Sequence, residues 1–302
     1  MGQTRILLLA LFLAAGLGGG CRQEPGATGP RYGAAPPSES SQVYNFAVYP
    51  LDHPAKLFEI YQPLIEYLNR ALPGGRFALE ASRDYAHFEE KIRSRAPEIL
   101  LANPWQTIIA IPLGYQVIAM ANEPGDCKGV FIARKDSPLK VPADLKGKAV
   151  SYPAPTAMAA CILPQYFLQQ RGIKVMSDIE NHYVGSQESA IMSVYLGKTA
   201  VGVTRPLYWR IFQQVHPREA TALKIIWETE ASANNSVMVR NDVAESVRQR
   251  VRTLLLDLRS DLAGAKVLDG MEVASFLPAG DSDYDKVRQY IASFEKEVRP
   301  VK

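Results

Sequence analysis

Apolar positions along this chain switch repeatedly between a period of two and a period near 3.6. Residues 44–49, Tyr-Asn-Phe-Ala-Val-Tyr, read as a strand that Pro50 stops. Asp52 or His53 can then open a helix with Pro54 in its first turn. Leu57, Ile60, Tyr61, Leu64, Ile65 and Leu68 mark one face of that helix, which ends near Pro73-Gly74-Gly75. Residues 77–81 make a second strand, and Asp84 caps a short helix carrying Tyr85, Phe88 and Ile92. Residues 98–102 make a strand ending at Asn103-Pro104, and a helix runs from Trp105 to about Leu113. Two more strands follow at 116–121 and 129–134. The order β-α-β-α-β-α-β-β favours a parallel sheet with crossover helices.

Gly125-Asp126 interrupts the pattern, and a similar second unit begins. Strands at 149–152, 182–184 and 199–203 alternate with helices at 156–171, 187–196 and 207–215; the first two helices close at Gly172 and Gly197. Strands at 224–229 and 236–240 lead back, and a long amphipathic helix at 243–262 and a terminal helix at 283–297 finish the chain. No repeat of fixed short period is present, which excludes solenoids and propellers.

Open α/β sheets bind ligands outside the carboxyl ends of their strands, where helix N-termini present free N–H groups and the positive end of the dipole. Five strand-to-helix turns have that character: Pro50-Leu51-Asp52-His53, Asn103-Pro104-Trp105-Gln106, Pro155-Thr156, Gly185-Ser186-Gln187-Glu188 and Thr204-Arg205-Pro206. Each taken alone is an ordinary helix cap. Their recurrence in both halves is what suggests two lobes facing each other across one cleft.

The first 42 residues stand apart. Residues 6–17 are apolar except for Gly16, follow Arg5, and precede Gly18-Gly19-Gly20-Cys21. The run is far short of the roughly 20 residues that span a bilayer, and suits the apolar region of an export signal. The stretch resembles a bacterial lipoprotein signal in which Cys21 becomes the acylated first residue, although Gly18 stands where that pattern usually has leucine. An ordinary secretory signal cut nearby is the alternative, and both export the protein. Residues 22–42, rich in Pro, Gly, Ser and Ala, read as a disordered tether. A chain of 302 residues that is 47% hydrophobic leaves ample material for a large core after these segments are removed. The net charge of +3, with no basic tract, argues against nucleic acid as a partner. Cys127 and Cys161 are left as a disulfide, as two buried thiols, or as a thiol touching ligand.

The chain closely resembles the phosphate/phosphite/phosphonate-binding family of periplasmic solute-binding proteins that serve ABC transporters. Gln62-Pro63-Leu64, Ala81-Ser82-Arg83-Asp84-Tyr85, Ile132-Ala133-Arg134-Lys135-Asp136-Ser137, Asp144-Leu145-Lys146-Gly147-Lys148 and the stretch from Phe276 to Tyr284 carry the resemblance in their order. It implies a type II periplasmic-binding-protein-like α/β fold. Each of its two lobes is a mixed, mainly parallel sheet flanked by helices, and two crossover strands join them. The expected boundaries are a signal at 1–20, a tether at 21–42, one lobe from 43–125 with 230–302, and the other at 126–229. A monomer that closes on a small anion and delivers it to an ABC permease is implied, with a membrane sensor such as a receptor kinase as the alternative recipient.

The resemblance also shows where this pocket departs. Phosphonate-binding members usually present a Ser/Thr-Ser-Gly run at the first helix of the second lobe; here it is approximately Ala157-Met158-Ala159-Ala160, with Thr156 the nearby hydroxyl. The usual Ser-His-Asp after a glycine is Ser186-Gln187-Glu188, and the acidic residue of the next strand is absent. Losing several donors at roughly 1–3 kcal/mol each weakens oxyanion affinity by orders of magnitude unless something replaces them. Arg205 is the candidate replacement, because a guanidinium takes a carboxylate or phosphate bidentately; the alternative is a surface arginine or one paired with a carboxylate such as Glu188. Tyr49, Tyr85, Asn103, Trp105, Thr156, Ser186, Gln187 and Arg205 are the expected ligand-binding residues, and Cys21 the lipidation site. The four histidines, His53, His87, His182 and His216, form no triad-like motif. No phosphate loop, paired-histidine helix or Cys-x-x-Cys element occurs, so neither enzyme chemistry nor a metal or cofactor is expected.

Overall fold

In the computed structural model, which describes residues 42–71, 75–123, 125 and 127–301, strand β1 (Gln42–Val48) leads into helix α1 (Pro54–Asn69). The expected export signal, Cys21 and nearly all of the expected tether lie outside the described residues. The helix starts at Pro54 because the His53 ring Nδ1 accepts the Lys56 N–H at 3.3 Å, and Pro54 has no N–H to satisfy. Strand β2 (Gly75–Glu80) and helix α2 (Tyr85–Arg93) follow; Asp84 caps the latter by accepting the His87 N–H at 2.8 Å. After β3 (Ile99–Ala102), helix α3 (Pro104–Ala110) opens with a reciprocal box. The Asn103 Oδ1 accepts the Gln106 N–H at 2.9 Å, and the Gln106 Oε1 accepts the Asn103 N–H at 3.1 Å.

Strands β4 (Tyr115–Asn122), β5 (Val130–Arg134) and β6 (Ala149–Tyr152) come next. The helix expected over 156–171 begins as a π-turn at Met158–Ile162 and becomes regular only in α4 (Leu163–Gln169). Strand β7 (Glu180–Tyr183), helix α5 (Gln187–Tyr195), strand β8 (Val201–Thr204), helices α6 (Pro206–Val215) and α7 (Pro217–Ala220), and strands β9 (Leu223–Glu228) and β10 (Ser236–Arg240) complete the middle of the chain. The long helix expected at 243–262 breaks in two. Helix α8 (Glu245–Leu256) ends near Asp257, and Asp261 restarts the chain as α9 (Leu262–Gly270) by accepting the Gly264 N–H at 3.1 Å. A strand the pattern did not reveal, β11 (Ser275–Pro278), precedes the terminal helix α10 (Asp285–Glu297).

Two mixed sheets result, in the orders β11-β4-β10-β3-β1-β2 and β7-β6-β8-β5-β9. In each, one side is parallel (β2-β1-β3 and β7-β6-β8) and the other antiparallel. The antiparallel side arises because the chain returns from the second sheet to the first as β10 and inserts between β3 and β4. Leu57, Tyr61, Leu64, Ile65 and Leu68 of α1 are buried, as their spacing requires. A smaller separate cluster, including Ile191, Val194, Trp209 and Phe212, lies under α5 and α6.

The chain passes between the sheets after β4 and again after β9, and the two passages are tied together. The Thr229 N–H donates to the Gly129 carbonyl and the Gly129 N–H to the Thr229 hydroxyl, both at 2.9 Å, and the Ser232 N–H donates to the Cys127 carbonyl at 2.9 Å. Gly129 is required here, since a Cβ would collide with the Pro164 ring and the Ala159 carbonyl. The C-terminal helix adds a third tie. The Tyr166 ring of α4 meets Tyr290 of α10 edge-on at 5.0 Å, and Arg299 donates to the Gln165 side chain at 2.9 Å and to the Pro155 carbonyl at 2.6 Å.

Candidate functional site

Four of the helix-opening side chains, His53, Asp84, Asn103 and Ser186, hydrogen-bond the backbone of their own helices. Arg205 stands at the same position before α6 but makes no side-chain cap. Its guanidinium instead leaves the second sheet and reaches Tyr49 and Glu123 at strand ends of the first. Nη1 donates to the Tyr49 hydroxyl at 2.9 Å, and Nη2 pairs with the Glu123 carboxylate. Asn235 completes the cluster, donating to the Tyr49 hydroxyl at 2.9 Å and to Glu123 at 3.5 Å. Arg205 is 3% exposed and Glu123 5%. Burial works against the charge on Arg205, but Glu123, together with Tyr49 and Cys127, outweighs it and holds the guanidinium well above its ordinary value.

Around this cluster lies a cavity of about 20 Å³, lined also by Tyr85, Asn103, Cys127, Met158 and Gln187. The Tyr85 ring meets Tyr49 edge-on at 6.4 Å, and the Gln187 side chain accepts the Thr204 hydroxyl at 2.8 Å. Burial raises the Tyr49 hydroxyl well above the phenol range, with Arg205 pulling it back and Glu123 pushing it up. Tyr85 is raised for the same first reason. Both remain protonated donors at neutral pH. A second link between the halves runs from the Asn103 amide to the Thr156 carbonyl at 3.3 Å.

Tyr49, Tyr85, Asn103, Gln187 and Arg205 therefore meet at one cavity, as do Met158 and Asn235. Thr156 is buried beside it and contributes its carbonyl to Asn103. Ser186 does not line this cavity; its hydroxyl is occupied with Ser189 and faces an outer cavity instead. Trp105 is 3% exposed, packs in the main core, and does not line the cavity either. Glu188, offered as a partner for Arg205, pairs with His216 at 2.8 Å. The partner of Arg205 is Glu123, which sequence reasoning passed over: an acidic residue beside Pro124-Gly125 reads as an exposed turn. Cys127 and Cys161 are both buried and not joined to each other; Cys127 lines the cavity, and burial pushes the Cys161 thiol up to about 12.

These features reproduce the architecture of a known family. A family model described as the periplasmic substrate-binding protein of phosphonate ABC transporters matches residues 46–284. The chain belongs to this family. The fold is shared with a binding-protein component of an ABC phosphonate transporter from Pseudomonas aeruginosa, at a TM-score of 0.78 and 16% identity over 85% of this chain and 88% of that one. PhnD1 of Prochlorococcus marinus, solved with methylphosphonate, gives 0.77 and 16% over 85% and 99%. A Xanthomonas citri protein solved with chloride gives 0.72 and 19% over 84% and 98%. These identities carry the fold alone, a type II periplasmic-binding-protein fold. Family membership makes the chain an extracytoplasmic transporter substrate-binding protein rather than an enzyme. Among the described residues no helix is long and apolar enough to cross a membrane, and no cluster of three His, Cys, Asp or Glu could hold a metal ion.

The buried pair has a measurable signature. Removing one partner of a buried ion pair leaves the other charge uncompensated, at about 3–5 kcal/mol. Arg205→Met is expected to destabilise the protein by that amount in urea unfolding, and Arg205→Met combined with Glu123→Leu to recover most of it. Equal losses in both variants would show that Glu123 does not depend on Arg205.

Glu89 supplies a pH dependence. It is 3% exposed, and the Gln106 amide donates to it at 3.4 Å. Burial holds its carboxyl above the ordinary 4.5, with the neighbouring Thr156 and Gln106 side chains pulling it back. The proton is thus bound more tightly in the fold than in the unfolded chain. Its stabilisation is complete below 4.5 and is lost as pH rises through the raised value. Glu89→Gln removes that loss, so the drop in unfolding free energy from about pH 4 to about pH 7 should be smaller in the variant than in the parent. Parallel pH profiles would exclude Glu89 as its source.

Proposed function

We propose that this protein captures a small phosphonate-type oxyanion by closing residues 126–229 onto residues 43–125 and 230–302, and delivers it to an ABC permease. The observation that carries the reading is Arg205. It is a buried guanidinium at a strand end, not used as a cap, beside hydroxyl and amide groups from both sheets. Tyr49 receives two N–H groups at its oxygen, which leaves its own O–H to donate to a bound oxyanion. Tyr85, Asn103, Gln187 and Asn235 stand close enough to orient the remaining oxygens, while Thr156 and Ser186 support the walls. The passages at 127–129 and 229–235 act as the hinge. The family's association with ABC transporters favours delivery to a permease over presentation to a receptor kinase. The working unit is a monomer.

Glu123 competes with such a ligand for the guanidinium. Glu123→Gln removes the competing charge while keeping the shape, so methylphosphonate affinity measured by calorimetry should rise about tenfold, or about 1.4 kcal/mol. Arg205→Met, kept in its more stable pairing with Glu123→Leu, should abolish that binding. Unchanged affinity in the double variant would remove Arg205 from the site.

We further propose that Cys21 carries the lipid that holds the protein at the membrane, because a short apolar run followed by small residues and a cysteine suits that processing. A tether over 22–42 then gives a reach of about 25 Å. Cys21→Ser should move the protein from the membrane fraction to the soluble one; a serine variant that stays with membranes would refute the anchor.

A further inference from the structure

The cavity at Arg205, about 20 Å³, is of the size that holds one water. A larger one, about 220 Å³, lies beside it at the mouth between α1 and the helices α5 and α6. Leu51 lines both, and Tyr208, in the wall of the outer one, lies close enough to Arg205, Tyr85 and Asp52 to feel their charges. The floor of the outer cavity is built from one face of α6: Tyr208, Ile211, Phe212 and Val215 recur at the i, i+3, i+4, i+7 spacing. An apolar stripe of that kind normally turns into a core. Here Tyr208 and Phe212 do so and meet the cavity only at their edges, while Val215, at the end of the stripe, is left 62% exposed. The rim is polar on both sides, with Asp52 and Lys56 from the first half of the chain and Glu188 and His216 from the second.

We propose that this outer cavity is a second ligand subsite, which takes the apolar organic arm of a phosphonate-type ligand whose head engages Arg205. The proposal rests on the phosphonate reading for the head group and adds the class of substituent. A 150 Å³ apolar cavity is enough for benzene, so about 220 Å³ accommodates a phenyl ring or a chain of about six carbons. Leu51, common to both walls, sets the two cavities side by side, and Ile211 and Val215 supply apolar surface that an organic substituent would cover. The small polar groups of methylphosphonate leave that surface unused.

The test compares methylphosphonate, hexylphosphonate and the headless probe benzyl alcohol on the mature protein. Each methylene buried raises affinity about fourfold, so hexylphosphonate should bind at least about thirtyfold more tightly than methylphosphonate. Val215→Asp, at an exposed position that tolerates charge without unfolding, and Ile211→Lys should each erase this preference while leaving methylphosphonate affinity unchanged. Benzyl alcohol should perturb the fluorescence of Trp209, which stacks on Phe212 at 6.0 Å, and should lose this effect in both variants. Methylphosphonate binding with no gain for the hexyl compound overturns the subsite and leaves the head-group reading intact. Failure of both phosphonates, with benzyl alcohol still bound and still sensitive to Val215→Asp, overturns the head-group reading and leaves an apolar site. A Val215→Asp variant with every affinity unchanged but transport lost would make this face a permease contact, and the subsite proposal would fall.

Discussion

The buried pairing of Arg205 with Glu123 is the constraint on which the relation between the two sheets depends. A guanidinium and a carboxylate taken out of water each lose several kcal/mol of hydration, and their mutual attraction repays that only when the remaining hydrogen-bonding capacity is also met. Tyr49 and Asn235 meet it. The residues come from the ends of β1, β4 and β8 and from the start of β10, so the requirement to satisfy one pair of charges holds strand ends of both sheets in a single arrangement. Moving either sheet by a few ångströms would leave a buried charge without its partner.

Competition between capping and recognition decides which other residues are available. A hydroxyl or amide that accepts its own helix's N–H has its orientation set and one acceptor site taken. Ser186 is consumed in this way by Ser189, and the Asn103 oxygen by Gln106, which leaves Asn103 only its amide N–H groups. Arg205 escapes because a guanidinium carries only donors and cannot accept the N–H groups that open α6. The same logic explains why the turn before Met158 contributes walls rather than donors: the π-turn that starts there has no side-chain cap, and Ala157, Met158, Ala159 and Ala160 bring only apolar surface.

Much of this was legible in the chain. Period-two and period-3.6 segments located most strands and helices, and the turn residues located the strand-to-helix turns before α1, α3, α5 and α6. That Asn103, Gln187 and Arg205 line one cavity was legible from their turns, and Tyr49 and Tyr85 from the family resemblance. Glu123 was not, because burial of a carboxylate is a tertiary event: nothing local distinguishes it from a solvated glutamate before Pro-Gly. The packing of Trp105 in the core was equally hidden, since an aromatic at the first turn of a helix has the same pattern whether it faces a cleft or the core. The break between α8 and α9 was hidden because Asp257 and Asp261 are tolerated on an exposed helix face, and only the Asp261 contact with Gly264 turns them into a boundary. Strand β11 was hidden by Pro278, a residue acceptable only because β11 lies at the sheet edge.

Net charge at the centre of the site sets what a ligand must do. With Glu123 in place the Arg205 cluster is close to neutral, so an anion does not enter an empty positive pocket. It must take over the guanidinium, and the carboxylate it displaces must then find water or a cation. The free energy of capture is therefore a difference between two ion pairs in similar surroundings, and an anion that merely matches Glu123 gains nothing. Preference for one ligand over another must come from what each adds beyond the shared charge: extra N–H and O–H bonds from Tyr49, Tyr85 and Gln187, or apolar surface buried next to Leu51. A ligand with a cationic group of its own would recover the Glu123 interaction as well, and would lose less on entry than a simple anion. With Arg205 as the proposed ligand contact, closure would be governed by exchange at one buried carboxylate, and discrimination by the contacts arranged around it.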